Sequence, residues 1–96
     1  MNASVWVDGK KLFLNPFITV LIGNVMDAVA RSLKTPEGKQ VEFLIRGEEL
    51  QLMVDQRDVP LNLGHAQQIV GNLFHGIRRS LKGAESGTEF RFIYER

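Results

Sequence analysis

Ninety-six residues, 44% of them apolar, with no cysteine and 12 Lys+Arg against 11 Asp+Glu, suffice for one domain, residues 1–96, around one core. The missing cysteines exclude disulfides, thiolate metal centres and cysteine nucleophiles. The near balance of charge argues against strong nonspecific nucleic-acid binding, which draws most of its affinity from neutralising phosphates.

The start, MNASVWVDGKK, has no basic leader ahead of an apolar run, so no signal peptide is expected. The longest uncharged stretch, 12–26, is interrupted by Asn15, Pro16 and Asn24, short of the ~20 apolar residues that cross a bilayer. These features predict a soluble, cytoplasmic chain with no membrane segment.

SVWVDGKKLFL predicts a hairpin, because Asp8 and Gly9 are a favoured central pair for a type I′ turn. That turn sets Val7 opposite Lys10, Trp6 opposite Lys11 and Val5 opposite Leu12. Val5, Val7, Leu12 and Leu14 take one side; Trp6 and Phe13 take the other. In NPF, Asn15 suits the N-cap and Pro16 the first helical position, where an N–H is not needed. A helix over about 16–34 follows, with Ile18, Leu21, Ile22, Val25, Met26, Val29 and Leu33 on its apolar side. Gly23, with Val20, Asp27 and Ala30, is placed away from the core, where small residues would admit a partner.

A second hairpin, VEFLIRGEELQLMV, turns at Gly47, the first central residue of a type II′ turn. The register pairs Arg46 with Glu49, Ile45 with Leu50, Phe43 with Leu52 and Val41 with Val54. Leu44 and Met53 then share the outer face with Glu42, Arg46 and Gln51. DQRDVPLNLG reads as a connection. A second helix over about 64–82 carries a stripe of Ala66, Ile69, Val70, Leu73, Phe74, Ile77 and Leu81, with Gly83 as the left-handed residue beyond it. TEFRFIYE, alternating Phe90, Phe92 and Tyr94 against Arg91 and Ile93, is a last strand.

The order ββαββαβ predicts an α+β two-layer sandwich, with two helices on one face of a mainly antiparallel five-stranded sheet. Without the first strand it is the βαββαβ order of ferredoxin-like domains, so a variant of that arrangement is open. A strand at Lys10 would then be central, and its hairpin partner would need an edge already taken. Either the first strand is short and peels away, or the last strand pairs elsewhere.

Chemistry is sparse. His65 and His75 are ten residues apart on one helix, about 15 Å of rise, and do not converge on one ion. Asp55 and Asp58 read as turn aspartates rather than ligands. No HExxH, GxSxG, GxGxxG or GxxxxGK[ST] motif occurs. No catalytic, cofactor-binding or metal-binding residue is assigned, and neither enzymatic activity nor a cofactor is expected.

Two surfaces remain. HGIRRSLKG lies in a stretch, 60–83, without a single acid. Its Arg78, Arg79 and Lys82 are where helix physics places cations, against the negative end of the dipole. With His75 they would otherwise form a basic binding face. Trp6, Phe13, Leu44, Met53 and Ile93 point outward from the sheet as a candidate interface. The leading expectation is a small noncatalytic protein-interaction module forming a homodimer. The alternatives are an RNA-binding accessory domain using the basic helix end, or a small-molecule sensor domain with its ligand at a dimer seam.

Overall fold

The computed structural model describes residues 2–96. They form β1 (Asn2–Val7), β2 (Lys10–Lys11), α1 (Pro16–Ser32), β3 (Gln40–Arg46), β4 (Glu49–Val54), β5 (Arg57–Val59), α2 (His65–Ser80) and β6 (Glu89–Glu95). The fold is α+β, with one sheet in the order β2-β1-β6-β3-β4-β5 in which every neighbouring pair is antiparallel.

Turn chemistry sets the local registers. Asp8 and Gly9 both have positive φ, 49° and 84°, as a type I′ turn requires. Trp6 pairs with Lys11 and Val7 with Lys10, and the Leu12 N–H reaches the Val5 carbonyl at 2.8 Å. Gly47 has φ 58°, and β3 and β4 pair from Val41↔Val54 to Arg46↔Glu49, the register the sequence predicts. Asn15 caps α1 by accepting the Ile18 N–H at 2.8 Å.

Three expectations are corrected. The sheet has six strands rather than five, because DQRD is a hairpin turn: Asp55 and Gln56 hold φ of 50° and 65°, and β5 folds back on β4. The Asp55 carboxylate secures this turn by accepting the Lys39 and Gln40 N–H groups, each at 3.0 Å. Of the two alternatives open for the strand order, the first strand does not peel away and the last strand pairs elsewhere. The Lys10 strand is the short edge one, and β6 enters between β1 and β3. Apart from β2 and β5, two split βαβ units result: β1 and β3 run parallel with β6 between them, and β4 and β6 run parallel with β3 between them.

The third correction concerns the rotation of α1. Gly23 and Ala30 are buried together with Ile22 and Met26, so the small-residue side packs on the sheet instead of facing away. Their lack of bulk lets α1 lie close to β1 and β6. The buried Tyr94 hydroxyl can then donate to the Asp27 carboxylate at 2.9 Å while accepting from Arg96 Nε at 3.2 Å. The rotation turns Phe17 and Leu21 out to solvent, and Val20 is exposed as the sequence reading places it.

The core joins sheet residues such as Val5, Phe43, Leu52, Phe90 and Phe92 to Ile22, Met26 and Ala30 from α1. From α2 only Phe74 is buried. Its ring wedges between Phe43 and Phe92, with centroids 4.7 and 4.8 Å away.

Candidate interaction surface

The outer face of the sheet is largely covered by its own polar side chains. Arg91 is directly across from Leu44 on one side and Trp6 on the other. It pairs with Glu42 at 3.3 Å and Glu89 at 3.2 Å, and Arg46 also reaches Glu89 at 3.2 Å. Arg46 and Arg91 together hold the Glu89 carboxyl below its usual range despite partial desolvation. Glu42 is raised, because burial outweighs the attraction of Arg91. Under this lattice Leu44 is only 5% exposed. Trp6, Met53 and Ile93 are half-buried, and the Trp6 indole N–H donates to Ser4 Oγ at 3.1 Å. Phe13 does not join them: 94% exposed, it lies beyond β2 in the connection to α1.

The basic end of α2 is mostly structural. Arg78 donates to the carbonyls of Ala84 and Glu85 at 3.3 and 3.0 Å, and its guanidinium lies 4.5 Å over the Phe90 ring. Its Nε donates to His75 Nδ1 at 3.3 Å. His75 Nε2 lies 2.9 Å from the Gly47 carbonyl, so a single tautomer, protonated on Nε2, satisfies both contacts. The pair clips α2 to the β3–β4 turn and to the segment leading into β6. Arg79 and Lys82 remain exposed.

Apart from Phe13, the large exposed apolar side chains among the described residues are on the helices. Phe17 is 71% exposed and Ile69 70%, and Val20, Leu21 and Leu73 are also exposed. Between the helices runs an apolar groove of about 300 Å³, walled by Ile18, Leu21 and Val25 from α1 and by Leu73, Ile77 and Leu81 after it in the chain. Ala66, Ile69, Leu73, Gly76 and Ser80 follow one another at alternating steps of three and four along α2, and all five are exposed. That is the spacing of a seam between packed helices. Phe17, Leu21, Asn24 and Ala28 repeat it on α1, also exposed.

Gly76 is unusual within this stripe. A Cβ placed on it would meet nothing within 4 Å, so packing inside the chain gives no reason for glycine, which costs up to ~1 kcal/mol against alanine in a helix interior. Hydrophobic periodicity assigned Ile69 and Leu73 to the core, since it reports apolar residues without saying which partner covers them. On α1, the signal that could have revealed the exposure of Leu21 was the Gly23 and Ala30 pair, whose burial fixes how that helix is rotated.

A second, polar cleft of about 380 Å³ lies between the β3–β4 turn and α2, lined by Glu48, Glu49, Gln67, Gln68, Asn72 and His75 among others. Both His75 ring nitrogens already have partners. Asp55 is held by backbone N–H groups, and Asp58 accepts from Gln51 Nε2 at 3.0 Å. Among the described residues no group of three or more His, Asp or Glu is placed to hold a metal ion, and no helix is long and apolar enough to cross a membrane. No known protein family matches this chain, and neither does any curated protein or solved structure, so its function has to be argued from these surfaces.

Proposed function

We propose that this chain is a noncatalytic protein-interaction module that self-associates, and that its docking surface is the helical layer rather than the outer face of the sheet. The observation that carries this reading is the exposure of Phe17, Val20, Leu21, Ile69 and Leu73 on the helical layer, with Leu21 and Leu73 lining its apolar groove. Soluble monomers seldom leave large apolar side chains contiguous in this way. Taking fully exposed side chains of this size as roughly 150–250 Å², they present on the order of 500 Å². A standard-size interface takes roughly 800 Å² from each partner, so the patch supplies a core that polar residues at its rim would complete.

An RNA-binding role is supported less well. It depends on free cations, and of the four residues at the basic helix end Arg78 and His75 are engaged in holding the fold, leaving Arg79 and Lys82 in a chain of net charge +1. The test of the leading reading is molar mass by light scattering, for the wild type and for Leu73→Glu. A concentration-dependent dimer that the substitution dissociates supports it. A wild type that stays monomeric at about 100 μM, where even weak specific dimers are populated, contradicts it.

A further inference from the structure

The exposed stripe on α2 is complementary to itself when reversed. It runs Ala66, Ile69, Leu73, Gly76, Ser80, with Leu73 at its midpoint. A two-fold axis between Asn72 and Leu73 sets Ile69 of one copy opposite Gly76 of a second, keeps Leu73 within one residue of its twin and brings Ala66 within one residue of Ser80, small against small. There the absent Gly76 side chain leaves open space. A large exposed residue meets a residue that has no side chain, and Leu73 lies next to its own twin beside the axis. The parallel alternative stacks Ile69 on Ile69 and Gly76 on Gly76, which crowds one level and leaves a void at the other.

Charge selects the same orientation. The charged side chains of α2 are the cations Arg78 and Arg79, with no acid. Parallel helices would bring each Arg79 beside its twin, whereas the antiparallel pair separates them by about 20 Å of helix rise and opposes the helix dipoles. We infer that two copies pair through α2 in antiparallel orientation about a two-fold axis between Asn72 and Leu73, with Ile69 of each seated on Gly76 of the other. This rests on the self-association proposed above and adds to it the orientation, the register and the contacts. The helical layers of the two copies then face each other, with Phe17 and Leu21 of each flanking the α2 pair, and the interface is isologous.

The chain has no cysteine, so Leu73→Cys creates a single thiol beside the axis, within reach of its symmetry mate. Under mild oxidation, at a concentration where light scattering gives a dimer, most of this variant should become disulfide-linked. Gln51→Cys on the outer face of the sheet, away from the helices, should cross-link at least about tenfold more slowly, since its twin lies across the dimer. Gly76→Leu should keep the far-ultraviolet dichroism of the wild type, its side chain entering open space in a single copy. It should weaken association at least about tenfold, the effect of one overpacked contact. A wild-type dimer in which the two thiols cross-link equally, or which Gly76→Leu leaves as tight, overturns the register while the self-association reading stands. A monomeric wild type overturns both.

Discussion

Phe74 is the one side chain of α2 without solvent exposure, and its ring touches Phe43 from β3 and Phe92 from β6. Phe74→Ala should therefore destabilise the fold by about 3–5 kcal/mol, the range for removing a buried phenyl ring, measured by urea unfolding. Asp8 acts at a different kind of joint. Its carboxylate accepts the Glu89 N–H at 2.9 Å and the Thr88 N–H and hydroxyl at 3.1 and 2.9 Å, tying the first turn to the start of β6. These bonds, led by the Glu89 N–H, lower its pKa below the usual 3.8. A depressed carboxylate pKa stabilises the fold fully above the unfolded-state value and progressively less as pH falls through the folded-state value. Asp8→Asn, which retains the left-handed turn, should lower the Tm at pH 7. Its deficit relative to wild type should shrink below about pH 3.8. A deficit that does not change with pH would show that the charge of Asp8 has no part in the joint.

At the scale of elements, α2 ends in a basic turn whose cations divide between two roles. Arg78 is bound to the Ala84 and Glu85 carbonyls and to His75, while Arg79 and Lys82 are exposed. Replacing Arg79 and Lys82 together with Gln should cost about 1 kcal/mol or less, the value of cations at a helix C-terminus. It should also leave no binding phenotype. Salt-sensitive binding of an RNA oligomer by the wild type, lost in this double variant, would restore the nucleic-acid reading. The two hairpin registers and the start of α1 were legible because Asp8–Gly9, Gly47 and Asn15–Pro16 carry their geometry locally. β5 was not legible, because Asp55–Gln56 takes a left-handed turn without glycine and is secured by Lys39 and Gln40, sixteen and fifteen residues away. The rotation of α1 was missed for a related reason. Periodicity weights Leu21 and Val25 by their hydrophobicity, whereas Gly23 and Ala30 are buried because the sheet comes close to them. The placement of β6 between β1 and β3 depends on long-range pairing, to which no short pattern points.

For the whole molecule, the sequence marked two candidate surfaces, and the structure adds the helical layer as the place where apolar area is left uncovered. The outer sheet carries Leu44 beneath the Arg46, Glu89, Arg91 and Glu42 ion pairs, so Trp6→Glu should leave the molar mass unchanged. Ile69→Glu or Leu73→Glu, on the exposed face of α2, should convert the protein to monomer without loss of secondary structure, because neither side chain belongs to the buried core. Light scattering of wild type, Trp6→Glu and Leu73→Glu at a common concentration of about 100 μM distinguishes the helical layer from the outer sheet as the face through which copies associate. Dimeric wild type and Trp6→Glu beside monomeric, folded Leu73→Glu is the predicted result. A monomeric wild type, or a dimer dissociated by Trp6→Glu and not by Leu73→Glu, would contradict it.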